Sequence, residues 1–199
     1  RRFNGDKGPN TGGMGAIAPV AVGEAVLATC HDVLRRAVAG MANDGVPFRG
    51  VLYGGFMLTA EGPKLLEFNA RFGDPECQPL VALLDEDPVP WFLGAALGRL
   101  PAESIRFRRE HACCVVVSAE EYPERVANAR ISHLPDSGRN LVVDHAGTAL
   151  RDGALWAVGG RVLGVTGLAD TADLARERAY AGVAEVRFEG ASWRTDIGC

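Results

Sequence analysis

The chain has 199 residues, of which 47% are hydrophobic and 23% charged, so it can bury a core in one large or two small globular domains. Its formal net charge of −4 argues against a nucleic-acid-binding platform, which normally needs a basic face. No apolar run approaches the roughly 20 residues of a membrane-spanning helix, and five cysteines without a C-x-x-C pair favour a reducing cytosol.

The ends of the sequence lack the usual marks of a complete protein. The chain opens on Arg1-Arg2 without an initiator methionine or an apolar leader, and it stops at Cys199 just after a predicted strand. We therefore expect a fragment of something longer.

The first half of the chain is predicted to contain helices and a β-hairpin. Apolar spacing, glycine and proline positions and a four-residue link with Gly62 support this interpretation. The predicted elements are a glycine-rich loop over 5–15, a helix over 24–41, paired strands over 48–59 and 64–69, and helices over about 74–84 and 89–100.

The second half changes to short apolar runs separated by turns, and we place a domain boundary near residue 104. The predicted strands lie at 112–119, 129–134, 140–145, 148–152, 154–160, 161–169 and 185–190. One helix over about 170–186 is predicted before the last strand, with Asp170 or Thr171 as its N-cap.

The strand over 64–69 carries a candidate metal site. Side chains alternate along a strand, so Glu67 and Asn69 share one face with Leu65, while Leu66 and Phe68 form an apolar face that anchors the strand. A carboxylate and an amide oxygen that converge are ligands suited to Mg²⁺. The same spacing is also typical of an ordinary half-exposed strand edge.

Two charged residues follow, where the strand breaks into a loop, and loops on a rigid scaffold often carry functional side chains. Arg71 has the planar fork that binds a carboxylate or phosphate. Asp74 precedes a proline, a pattern that also indicates a helix N-cap.

The segment GPNTGGMG, residues 8–15, has the glycine spacing of a phosphate-binding loop. Met14 stands where that motif requires lysine, and no strand precedes the segment, so it is not a Walker A motif. Consecutive glycines can expose backbone N–H groups as an anion-binding nest, with Asn10 and Thr11 as added donors. A plain glycine-rich turn is an equal alternative.

Five sequence blocks, taken together, resemble one enzyme family. They are GPNTGGMGA at 8–16, LLEFNARFGDPE at 65–76, HAGT at 145–148, GGRVLGVT at 159–166 and DIG at 196–198. Their order and spacing are similar to the C-terminal half of the glycinamide ribonucleotide synthetase family, within the ATP-grasp superfamily. The resemblance implies an α+β fold: the second half of an ATP-grasp fold, an antiparallel sheet with helices, over 1–103, and a small β-rich domain over 104–199.

The resemblance also implies a reaction of purine biosynthesis, in which ATP, glycine and 5-phosphoribosylamine give ADP, phosphate and glycinamide ribonucleotide through glycyl phosphate. Glu67 and Asn69 match the ligands of the Mg²⁺ (or Mn²⁺) that accompanies ATP. Arg71 and Asp74 match the acceptor-site segment, with Arg71 on a substrate anion and Asp74 orienting an amine or Arg71.

The remaining site residues are also carried over from the family. The substrate loop is matched by Pro9, Asn10, Thr11, Gly12, Gly13, Met14 and Gly15. Arg161 is matched to a substrate phosphate, and a solvated strand-end arginine is the alternative.

The chain departs from the family in three respects. The strand VLYGGFMLT carries no acid, and the block GAIAPV lacks the tyrosine and serine of the family's GAYSP. The resemblance implies that the N-terminal half of the same enzyme is a partner of this chain. That half is not in the sequence. We therefore expect that the chain does not turn over alone.

Two other functions are also compatible with the sequence. One is an ATP-grasp ligase that activates a different carboxylate. The other is a non-catalytic binding module.

Overall fold

A computed structural model describes residues 1–199, which form two compact units. The larger unit comprises residues 1–19, 74–84 and 108–199, and the smaller unit comprises residues 20–73 and 85–107. The chain therefore passes between the units more than once. The linear division into domains 1–103 and 104–199 stays a prediction.

The four predicted helices are all present, together with ten strands and a short 3₁₀ turn at Asn4–Asp6. The helices are α1 (Glu24–Asn43), α2 (Cys77–Ala82), α3 (Val89–Leu97) and α4 (Ala172–Val183). The strands are β1 (Gly15–Ala18), β2 (Tyr53–Thr59), β3 (Gly62–Asn69), β4 (His111–Ala119), β5 (Ala129–Arg130), β6 (Leu141–His145), β7 (Thr148–Arg151), β8 (Ala154–Ala157), β9 (Arg161–Ala169) and β10 (Ala191–Ser192). None of the helices has the length and apolar character needed to span a membrane.

The larger unit is built on an antiparallel sheet with the strand order β1-β4-β9-β6, and β10 also pairs with β4. A second antiparallel sheet contains β5, β8 and β7. Strands β4 and β9 are buried along almost their whole length, and helix α4 packs against both. Burial on both faces explains why these strands are nearly continuous apolar runs in the sequence.

Helix α4 begins at one of the two predicted caps. Thr171 Oγ1 accepts a hydrogen bond from the Leu174 backbone N–H at 3.3 Å, which satisfies a donor of the first turn. Ala175 and Ala179 of the helix are fully buried. A Cβ on Gly167 of β9 would lie 2.3 Å from the Ala175 carbonyl oxygen, so only glycine permits this close approach.

The smaller unit contains the β2–β3 hairpin, with helix α1 packed against both strands. Its only buried residues are Gly73 and Gly94, so it has no fully buried side chain. Leu66 is 64% exposed and Phe68 is 41% exposed. The prediction that these two side chains anchor β3 is wrong, because helix α1 leaves both of them exposed.

Two further strand predictions differ from the structure. The strand predicted over 185–190 does not form: Arg187 makes only an isolated bridge with His133, and the strand that forms is β10. Conversely, β1 follows the glycine loop, where no strand was predicted. It forms because all four of its residues pair with β4, a distant partner that local sequence does not indicate.

Candidate active-site residues

The carboxylate of Glu67 and the amide of Asn69 meet at the end of β3, in the smaller unit. Asn69 Nδ2 donates a hydrogen bond to Glu67 Oε1 at 3.0 Å. The register with β2 shifts between Gly55 and Phe56, and regular pairing resumes at Glu67. The side chains of Glu67 and Asn69 therefore lie on the same face of β3, as the sequence predicted.

This pair has the chemistry of a hard-cation site. Glu67 is exposed and Asn69 is half-buried, and the opposite residue, Gly55, would place a Cβ only 3.3 Å from Glu67 Cγ. Turning the Asn69 amide by 180° exchanges its nitrogen and oxygen, which brings a second oxygen beside the carboxylate. The pair then offers two of the six oxygen ligands that Mg²⁺ prefers. No group of three or more His, Cys, Asp or Glu side chains is arranged to hold a metal ion.

Arg71 lies just beyond this pair, with an exposed side chain. Its Nη1 donates to the Phe72 carbonyl oxygen at 2.8 Å, and the ring of Phe72 packs edge-on against Phe92 at 6.1 Å between centroids. A guanidinium has five N–H donors. Arg71 therefore keeps donors for an anion.

The glycine loop, residues 8–15, belongs to the larger unit and is held at several points. The Pro9 carbonyl oxygen accepts from the Arg2 backbone N–H at 3.1 Å. The Gly12 N–H donates to Tyr122 Oη at 3.3 Å. Met14 is 4% exposed, and its carbonyl oxygen accepts from the Val116 N–H at 3.0 Å. The N–H of Gly12 is therefore already used inside the protein.

The guanidinium of Arg161 joins this loop to the segment at Asp74. Nη1 donates to the carbonyl oxygens of Gly13 at 3.0 Å and Asp74 at 2.8 Å, and Nη2 donates to Asp74 Oδ2 at 2.9 Å. Asp74 Oδ1 accepts from Arg161 Nη1 at 3.3 Å and from Gln78 Nε2 at 3.2 Å. The side chain of Arg161 is only 21% exposed, so it is not a solvated strand-end arginine.

Asp74 does not cap a helix. Helix α2 begins at Cys77 with Glu76 at its N-cap position, so that prediction is wrong. The reason is that the Asp74 carboxylate binds the side chains of Arg161 and Gln78 instead of backbone N–H groups.

Sequence reasoning missed two residues of this cluster. Tyr122 is 110 positions from Gly12, and no local pattern marks it. Gln78 lies four residues after Asp74, and this helical spacing indicates a side-chain pair.

Burial governs the thiols near the cluster. It raises the pKa of the Cys77 thiol, and the Asp144 and Asp74 carboxylates raise it further. Burial also raises the pKa of Asp144 itself, against the opposing effect of His145. Cys114 is fully buried and its pKa rises to about 12, chiefly by desolvation. These cysteines are therefore poor nucleophiles.

The DIG block joins the two ends of the larger unit. Arg194 forms a two-pronged contact with Asp196, at 2.7 and 2.8 Å, and the Gly5 N–H donates to Asp196 at 2.8 Å. The hydrogen bonds from Arg194 contribute most to lowering the pKa of Asp196 to about 2, and the hydrogen bond from Gly5 contributes next. Asn4 adds two hydrogen bonds to Thr195.

Comparisons with known proteins find chains that are similar to this one along its whole length. The chain is 48% identical over 204 residues to the phosphoribosylamine–glycine ligase of Caulobacter vibrioides, covering 100% of the chain and 48% of the relative. It superimposes with a TM-score of 0.89 and 37% identity on the crystal structure of the Thermotoga maritima phosphoribosylamine–glycine ligase, covering 99% of the chain and 49% of that structure. The chain thus spans about half the length of the relatives it matches.

A more distant likeness supports the fold. The chain is similar to the biotin carboxylase domain of the Hydrogenobacter thermophilus 2-oxoglutarate carboxylase, which was solved with MgADP and bicarbonate. The match covers 90% of the chain and 40% of that domain, with a TM-score of 0.61 and 16% identity.

Two family models also match. The ATP-grasp (A) domain of phosphoribosylglycinamide synthetase covers residues 1–77, and the C domain of the same family covers residues 112–199. The chain therefore belongs to the phosphoribosylglycinamide synthetase family, which is the glycinamide ribonucleotide synthetase family under another name.

Proposed function

We propose that the chain is the C-terminal part of a phosphoribosylamine–glycine ligase, an enzyme that uses ATP to join glycine to 5-phosphoribosylamine. Its products are glycinamide ribonucleotide, ADP and phosphate. The observation that carries the proposal is the meeting of Glu67 and Asn69 at 3.0 Å, in a chain 48% identical along its full length to a relative of that name.

In this proposal Glu67 and Asn69 hold Mg²⁺ (or Mn²⁺) with their side-chain oxygens. Two protein ligands suit a cation whose other positions are filled by nucleotide phosphate oxygens and water. When bound, the ion neutralises phosphate charge as ATP reacts. The exposure of Glu67 leaves the pair open to a phosphate chain.

Two regions of the chain then contribute to substrate binding. Arg71 binds a substrate anion with its free N–H donors, and Asp74 orients a substrate amine, since its carboxylate is still 49% exposed. The loop residues Pro9, Asn10, Thr11, Gly12, Gly13, Met14 and Gly15 form one wall of the substrate site. The exposed side chain of Asn10 and the half-buried side chain of Thr11 point to direct polar contacts there.

The chemistry consists of two substitutions. A carboxylate oxygen of glycine attacks the γ-phosphorus of ATP, the bond from that phosphorus to the bridging oxygen breaks, and ADP leaves. The amine nitrogen of phosphoribosylamine then attacks the carbonyl carbon of glycyl phosphate, phosphate leaves, and the nitrogen loses a proton. These steps depend on orientation and charge neutralisation and need no protein nucleophile.

The chain acts, in this proposal, together with an N-terminal part like that of its relatives. The exposed apolar side chains of the hairpin support this view, because large exposed apolar patches mark interaction surfaces. Leu58, Leu66 and Phe68 are 55%, 64% and 41% exposed. Without a covering part, an acyl phosphate would also lie open to water.

The first test joins the chain to the N-terminal half of the Caulobacter vibrioides relative. ADP formation is measured with phosphoribosylamine and glycine, formate, bicarbonate or D-alanine. We expect glycine-dependent ADP formation by the joined protein and none by the chain alone. Equal rates would contradict the need for the N-terminal part, and preference for another carboxylate would favour a different ATP-grasp ligase.

The second test compares Glu67→Gln with Glu61→Gln in the joined protein. Glu61 is an exposed carboxylate at the hairpin turn, 3.1 Å from Lys64, and serves as the matched control. Loss of a metal ligand should weaken the apparent Mg²⁺ affinity about tenfold or more, whereas the control should leave it unchanged. Equal behaviour of the two variants would refute the metal site. An unchanged melting temperature with saturating MgADP would favour a non-catalytic module.

A further inference from the structure

Arg161 is the first residue of β9, yet its side chain contacts segments that lie far from it in the sequence. Its guanidinium reaches two separate segments of the larger unit, the glycine loop and the turn at Asp74. Both segments carry residues of the proposed substrate site. One side chain therefore sets the spacing between them.

The fit around this guanidinium is tight. A Cβ on Gly12 would lie 2.8 Å from Arg161 Cζ, and a Cβ on Gly13 would lie 2.4 Å from Pro75 Cδ. Real Cβ atoms do not approach other atoms so closely, so the loop lies directly on the guanidinium and the proline ring. A side chain at Gly12 or Gly13 would therefore clash with Arg161 or Pro75.

The hydrogen bonds explain why an arginine is needed. Nη1 binds two carbonyl oxygens, of Gly13 and Asp74, while Nη2 binds the Asp74 carboxylate. A planar fork can make these bonds at once, whereas the ammonium group of lysine is a compact point charge. Three of the five N–H groups are thereby engaged inside the protein, including both on Nη1, which leaves the Nε–H and one Nη2 N–H.

We propose that Arg161 is a positioning residue, which acts through Gly13 and Asp74 to fix the glycine loop against the Asp74 carboxylate. This inference rests on the proposed function, and it replaces the direct phosphate contact that the family resemblance implied. A loop held in this way presents its polar groups and Asp74 in one orientation. Displacements of about 1 Å in such arrangements cost on the order of 100-fold in rate.

The decisive variant is Arg161→Lys, which keeps the charge and removes the fork. Arg125→Lys is the matched control, because Arg125 forms only an exposed ion pair with Glu121. In the 199-residue chain, we expect faster amide exchange in Arg161→Lys at Gly12, whose N–H binds Tyr122, and no change in the control. In the joined protein, we expect the KM for phosphoribosylamine or glycine to rise about tenfold or more, while the KM for ATP stays the same.

A double variant tests whether Arg161 acts through Asp74. Asp74→Asn should by itself reduce activity. Adding Arg161→Lys should reduce activity little further, because the effects of residues that act as a unit are not additive. Losses that multiply would overturn the proposal.

The remaining outcomes are also decisive. Unchanged amide exchange with a raised KM for phosphoribosylamine alone would show a direct phosphate contact and refute positioning. Faster exchange with unaltered KM values would show a purely structural role and would also refute it. Wild-type joined protein without glycine-dependent activity would refute the proposed function, while the exchange measurement would still decide whether Arg161 holds the loop.

Discussion

Replacing Gly13 by alanine tests the close contact between the glycine loop and Pro75. The new Cβ would lie 2.4 Å from Pro75 Cδ, whereas carbon atoms in contact are normally about 3.5–4.0 Å apart. The loop or the ring must therefore move by about 1 Å. Because a proline ring cannot rotate away, we expect the cost of overpacking, about 1–3 kcal/mol of unfolding free energy.

The measurement is urea unfolding of the 199-residue chain, followed by tryptophan fluorescence, to which Trp156 and Trp193 of the larger unit and Trp91 of the smaller unit contribute. With a typical urea dependence of about 2 kcal/mol per M, the midpoint should fall by on the order of 1 M. Gly138→Ala is the matched control, since nothing lies within 4 Å of its added Cβ. Equal midpoints for the two variants would refute the packing argument.

Three further predictions concern the larger unit. Because the folded pKa of Asp196 is depressed to about 2, its stabilisation is fully present above its unfolded pKa of about 3.9 and is lost as pH falls through about 2. Asp196→Asn should cost about 1 kcal/mol near pH 7, and the urea midpoints of variant and wild type should converge as the pH falls below 2. Gly167→Ala should lower the melting temperature more than Gly138→Ala, because its Cβ meets backbone atoms of α4 that cannot move aside. Alkylation at pH 8, read by mass spectrometry, should label exposed Cys199 before buried Cys114, whose pKa is about 12.

The sequence predicted elements best where periodicity was long or strict. Helix α1 was predictable because its apolar spacing repeats over five turns. It begins at the predicted Glu24 and extends two residues past the predicted end at Met41. Helix α3 ends at Leu97 instead of near residue 100, because Gly98 adopts a left-handed conformation with φ 67°. Short strands were less predictable, since β1 and β10 depend on pairing with β4.

In the candidate site, too, local pairs could be predicted from the sequence and long-range contacts could not. Glu67 and Asn69 are two residues apart in one strand, so the period of a strand was enough to place their side chains together. The contact between Asp74 and Arg161 spans 87 positions. Family resemblance marked both as site residues, but only the fold shows that they bind each other.

The glycine loop shows how the same residues can satisfy two different explanations. A sequence rich in glycine and flanked by polar residues indicates an anion-binding nest, in which glycine serves backbone flexibility. In the structure, Gly12 and Gly13 are needed because Arg161 and Pro75 leave no room for a side chain, and the Gly12 N–H already binds Tyr122. Glycine here permits close packing, which together with the hydrogen bonds to Tyr122 and Arg161 restricts the movement of the loop. A rigid loop loses less conformational entropy when a substrate binds, so the tight packing of this segment and its proposed place in the substrate site support each other.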